Sequence, residues 1–140
     1  MSRQFSLAGL LRVRGLQERA AAERLSRAHI QSAQTEARER QVRAALSASP
    51  DDVGDVRSLT ALAASRVAAR SMLADLRALG EIQQAALDEA GHAHAAARRD
   101  ERGLARLADA HARREHARDL QAEQTELDEI ALRPRTEETT

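Results

Sequence analysis

The sequence predicts an all-α fold: two long antiparallel helices forming a coiled-coil hairpin, with the second helix longer and overhanging the first. Three observations carry this. Ala (31), Arg (22), Leu (17) and Glu (13) together supply 83 of the 140 residues, well above the roughly half that marks long helices and coiled coils. One strong helix-breaking segment, around Pro50, splits the chain into unequal parts. On both sides of it, apolar residues recur at the seven-residue spacing of a two-helix seam.

The same composition excludes other classes. Leu, Val, Ile and Phe number only 26 of 140, and Trp, Tyr and Cys are absent. Sheets are built from β-branched and aromatic residues, so a sandwich, a barrel or a doubly wound fold has no material here. Low apolar content marks disorder only with a strong net charge, and here the charge is zero. Without cysteine there is no disulfide framework, thiolate zinc site or thiol nucleophile. No apolar run reaches the length of a bilayer, and the N-terminus reads as lacking a secretory leader, so the cytoplasm is the expected location. Neutrality argues against nucleic acid as a partner. The charge is nonetheless uneven: residues 1–47 carry nine Arg and four acids, and residues 119–140 carry two Arg and seven acids.

Taking the elements in order, helix one is expected over about 7–47, which contains no proline. The segment Ser47-Ala48-Ser49-Pro50-Asp51-Asp52-Val53-Gly54-Asp55 forms the turn, about 48–55. A proline inside a helix loses a hydrogen bond and clashes with the preceding turn. Ser49, Pro50 and the acids after it also read as an N-cap, a first-position proline and a negative first turn. Helix two follows over about 56–132. Glu36/Arg40, Glu39/Arg43, Glu23/Arg27 and Asp109/Arg113 are four apart and support these helices on their exposed sides. Residues 1–133 thus form one hairpin domain, and 134–140, with no apolar side chain, a disordered tail.

The seam of helix one runs through Leu11, Ala21, Leu25, Ala28, Val42 and Leu46, interrupted by Arg14, Glu18 and Glu39. That of helix two runs through Leu59, Leu62, Ala69, Leu73, Leu76, Leu87, Ala90, Ala97 and Leu104. Folding at the tightest turn sets Leu46 opposite Leu59, Val42 opposite Ala63, Leu25 opposite Gly80, Gly15 opposite Ala90 and Leu7 opposite Arg98. Small residues at facing layers allow close approach of the helices. In this register everything from about 99 to 132 overhangs, on the order of 50 Å of single helix. The overhang carries Leu104, Leu107, Leu120, Leu127 and Ile130, and lone helices keep such residues when a partner covers them.

No catalytic constellation emerges, and an enzyme is not expected. His29, His92, His94, His111 and His116 lack the four-residue spacing by which one helix offers two ligands to zinc. Acid pairs fall in caps and tail, and the six glycines never cluster into a phosphate loop. Catalytic, metal and cofactor sites are accordingly read as none. The N-terminal stretch from Phe5 to Arg14, with two Arg (a third, Arg3, precedes it) and no acid before Glu18, reads as seam and partner contact ahead of a membrane-surface helix.

The whole chain, over about residues 5–133, resembles the FliJ family of flagellar type III export proteins. Three features carry the resemblance. The opening Phe5-x-Leu7-x-x-Leu10-Leu11-Arg12-Val13-Arg14, then Glu18 and Ala20-Ala21-Ala22, looks like the family's N-terminal segment. The break near 50 with a longer second helix is similar to its unequal hairpin. Glu123-Gln124-Thr125-Glu126-Leu127-Asp128-Glu129-Ile130-Ala131-Leu132-Arg133 is similar to its terminal acid-x-Leu/Met-Asp-Glu-x-Ala-x-Arg pattern. Aliphatic Val42, Leu46, Leu59 and Leu62 at the hairpin tip depart from the aromatic residues that family members often carry there.

The resemblance implies a cytoplasmic component of the flagellar export apparatus, peripheral at the inner face of the cell membrane at the flagellar base. Its coiled coil would bind the export ATPase ring as a central stalk, link it to the cytoplasmic domain of the export gate, and escort export chaperones. The implied ATPase-binding residues are Leu10, Arg12, Arg14, Leu127, Asp128, Glu129 and Ile130; the implied gate-binding residues are Val42, Leu46, Leu59 and Leu62. Membrane association would come through partners. A self-associating structural coiled coil with no export role is the other reading.

Overall fold

The structure is a computed structural model and describes residues 5–50 and 54–133. It is all-helical: α1 spans Ala8–Ser47, 40 residues, and α2 spans Val56–Leu132, 77 residues. The two helices make extensive contact as a hairpin. Asp51, Asp52, Val53 and the expected disordered tail, 134–140, lie outside the described residues.

The helix boundaries have local causes. At the end of α1, the Ser47 and Ser49 hydroxyls donate to the carbonyls of Arg43 and Ala45 at 3.1 and 3.2 Å. Such back-bonding uses side chains to occupy carbonyls already in the helical ladder. Ser49 therefore finishes α1 and does not cap α2, as the sequence had suggested. The cap of α2 is Asp55: its carboxylate accepts the Arg57 N–H at 3.3 Å, and its carbonyl accepts Leu59 N–H at 2.9 Å. An aspartate there satisfies an orphan donor and complements the positive helix end.

Two compact units divide the chain. One comprises Gln17–Ala97. Within it, the covered line of α1 runs through Glu18, Ala21, Leu25, Ala28, Ser32, Thr35, Glu39, Val42 and Leu46, and that of α2 through Leu62, Arg66, Ala69, Leu73, Leu76, Gly80, Gln83, Leu87, Ala90, His94 and Ala97, with Ala22, Gly91 and Ala96 half-buried beside them. The alternating three- and four-residue steps are those of a left-handed pair of helices. The seam is thin: among the described residues only Ala21 (5% exposed), Leu73 (8%) and Thr35 (5%) are buried. Its middle is polar, and the side-chain oxygen of Gln83 is buried there without a hydrogen-bond partner.

The register differs from the tight-turn expectation by roughly two to three helical turns. Ala21, expected well away from Ala90, shares a shallow groove with Ala86, Ala90 and Ala93. Val42 and Leu46 line another with Ala68, Ala69 and Met72, not with Leu59 and Ala63. Glu18 meets His94 at 2.8 Å, and Glu39 meets Arg77 at 3.5 Å. The first turns of α2 stay outside the seam: Val56 is 77% exposed and Leu59 49%. The tight turn would have set Glu18 against Leu87, stranding a carboxylate on an apolar neighbour, which burial disfavours. Close approach through glycine is not used either. A Cβ built on any of the six glycines meets no atom within 4 Å.

The other unit takes in the chain up to Leu16 and from Arg98 onward. Here the first turns of α1 lie along α2. Arg14 pairs with Asp100 at 3.3 Å, and the Phe5 ring sits 5.5 Å from that of His111 at 55°. On α2 half-burial continues through Glu101, Leu104, Ala108, His111 and Glu115 and then ceases; every residue from His116 to Arg133 is exposed. The overhang expected from about 99 therefore begins near 116 and is about half as long, roughly 25 Å of helix. Leu104 belongs to the packed part.

Candidate functional site

The bare end of α2 is the surface that hairpin packing leaves open. Its polar spacing is informative. Continuing the covered row 101, 104, 108, 111, 115 by the same steps leads to Arg118, Ala122, Thr125, Glu129 and, in the last turn, Leu132, a line that is mostly polar or small. The other large apolar residues stand elsewhere. Leu120, Leu127 and Ile130 are 52%, 65% and 58% exposed, and with Glu123 they form a second row in three- and four-residue steps. At 3.6 residues per turn, this row lies on roughly the opposite side of the helix from the first. Glu123, Glu126, Leu127 and Ile130 line one shallow groove.

The rim of that groove also differs from the sequence reading. Asp128 and Glu129, expected to flank the apolar anchor, fall off the row; Glu129 lies on the line that continues the hairpin seam. Asp119 and Glu126, seven residues apart, occupy one flank, while Ala117, Gln124 and Ala131 occupy the other. The result is an apolar row with acids along one edge. The seven-residue spacing of Asp119 and Glu126 was legible in the sequence, but only the observed burial shows which side of the helix is covered. Such a row provides contact area, and its charged edge selects partner and orientation.

The other expected site residues are dispersed. Leu10 is 43% exposed and Arg12 is exposed as well, but two residues apart they stand on opposite flanks of α1. Arg14 is turned into its pair with Asp100. At the hairpin tip, Val42, Leu46 and Leu62 are half-buried, and Leu59 alone of the four offers a largely open side chain. The structure thus brings Leu127 and Ile130 together and separates Val42 and Leu46 from Leu59.

Among the histidines, His94 and His111 are engaged in cross-helix contacts, and His29, His92 and His116 are exposed. Among the described residues, no three His, Cys, Asp or Glu side chains converge as a metal site, and no helix is long and apolar enough to cross a membrane.

Comparison with family models, with characterised proteins and with solved structures finds no match to this chain.

Proposed function

We propose that the protein is a non-enzymatic coiled-coil component of the flagellar type III export apparatus, binding the export ATPase as a stalk. What supports the reading is the resemblance of residues 5–133 to the FliJ family together with an unequal helical hairpin. The observation that carries it is the exposed, acid-edged apolar row at the end of α2, with Leu120, Leu127 and Ile130 on the side away from the seam. A row of this kind serves a helix or groove presented by another molecule. In this reading exposed Leu10 and Arg12 of α1 give a second contact to the ATPase, Leu59 at the tip reaches the cytoplasmic part of the export gate, and chaperones are escorted on the remaining surface. The protein works in the cytoplasm at the flagellar base.

Titration of the fluorescently labelled protein against purified flagellar export ATPase tests this. Glu126→Ala with Leu127→Ala is expected to weaken binding at least tenfold, with helicity by circular dichroism unchanged. Asp128→Ala, off the row, is expected to leave affinity within about twofold. Equal losses in both variants would move the contact off this row. If the unaltered protein fails to bind while its mass in sedimentation grows with concentration, the exposed row serves self-association and the export reading falls.

A further inference from the structure

Within residues 17–97 large apolar and small residues share the seam about equally, and Ala21 and Leu73 are its buried apolar residues. Because the seam repeats every seven residues, sliding one helix by seven along the other returns seam positions to seam positions. The polar residues do not tolerate the slide in the same way.

In the observed register Glu18 Oε1 lies 2.8 Å from His94 Nε2, and the two side chains are only 26% and 21% exposed. Arg77 Nε donates to Glu39 Oε1 at 3.5 Å, and Glu39 also accepts from Arg43. A seven-residue slip in one direction sets Glu18 against Leu87; in the other it sets His94 against Leu25. Either slip leaves a largely covered polar group facing a leucine, its lost hydration uncompensated. The same slips carry Glu39 from Arg77 to Arg70, which can take over the pair, or to Gln84, which cannot, so this second pair opposes only the slip that sets His94 against Leu25.

We propose that Glu18–His94 and Glu39–Arg77 are register-setting pairs, and that the arrangement one heptad away is the alternative state of this hairpin, entered when those pairs are broken. A slip of seven residues displaces one helix along the other by about 10 Å, so competition for one carboxylate becomes a long axial movement. Polar seam residues that fix register at some expense of stability are the best-attested use of such groups. The inference does not depend on the identity of any partner.

The chain contains no cysteine, so paired cysteines report register without background. Ala21→Cys with Ala90→Cys reports the observed register, since both line one groove. Ala21→Cys with Ala97→Cys, and Ala21→Cys with Gln83→Cys, report the two slipped ones. The probe is a bifunctional thiol reagent shorter than the slip. In the otherwise unaltered protein the first pair is expected to cross-link at least tenfold faster than the others. With Glu18→Leu and Glu39→Leu, one slipped pair is expected to gain at least tenfold and the first to fall. The exchanged pair Glu18→His with His94→Glu restores the original pattern. Retention of the original pattern in the leucine variant, with helicity intact, would overturn the proposal. Should that variant lose helicity, Glu18→Gln with Glu39→Gln is read instead, and an unchanged pattern there overturns it equally.

Discussion

The seam of residues 62–94 and the last turns of α2, residues 116–133, have similar ingredients and opposite fates. Both mix leucine with alanine and charge, and both continue one uninterrupted helix. In the seam, Leu62, Leu73, Leu76 and Leu87 fall on the line that α1 covers, with Leu79 alone off it, and Leu73 is 8% exposed. In the last turns Leu120, Leu127 and Ile130 leave that line for the other side, Leu132 alone falling back on it, and Leu127 is 65% exposed. The difference teaches that the bare end is not a length of hairpin that ran out of partner. A seam merely lacking its partner would keep its apolar residues in phase with the covered row. Here the phase changes by about half a turn of the helix, which sets up a separate face.

Substitutions in the two regions sharpen or break this contrast. The largest effect is expected for Leu73→Ala, which removes one of the few buried side chains and leaves a hole that thin packing refills only in part. A loss of about 2–3 kcal/mol in urea unfolding is expected, at the low end for a buried leucine. A loss below about 0.5 kcal/mol would mean that the seam derives its stability from elsewhere along the helices.

A smaller effect of opposite sign is expected at Gly80, beside the polar middle of the seam. Nothing lies within 4 Å of a Cβ built there, so Gly80→Ala gains helix propensity without a clash. Unfolding should shift in favour of the folded state by roughly 0.5–1 kcal/mol. Destabilisation instead would show that the helices approach more closely at this layer than the structure has them.

The smallest effects on folding are expected at Leu127→Ala and Leu59→Ala, in two open places. Leu59 is 49% exposed and Leu127 more so, so each should change unfolding by less than about 0.5 kcal/mol, as surface substitutions do. A loss at Leu127 comparable to that at Leu73 would erase the contrast and place the end of α2 within the packed structure.

Much of the fold was legible from particular residues. Pro50 and its neighbours mark the break, and the seven-residue recurrence of Leu25, Val42, Leu73, Leu76 and Leu87 marks which helix sides meet. The candidate site was legible only in part. Leu127 and Ile130 share one row as their spacing implies, but the acids along its edge are Asp119 and Glu126. Asp128 and Glu129 adjoin Leu127 in sequence, and on a helix adjacent residues point about 100° apart. Val42, Leu46, Leu59 and Leu62 looked like one tip cluster only because a tight turn was assumed.

The sequence by itself determined that the chain is helical, where each helix runs, and that the two pack along a heptad seam, because these follow from local propensity, proline and periodicity. It did not determine the register, the length of the bare end, or the side of α2 left open. A pattern that repeats every seven residues is satisfied nearly as well after a slide of seven, so periodicity alone cannot rank the alternatives. What ranks them is contact between residues distant in sequence: Glu18 with His94, Glu39 with Arg77, Arg14 with Asp100 and Phe5 with His111. Those contacts exist only once the helices lie side by side, which is why the tertiary structure alone decided them.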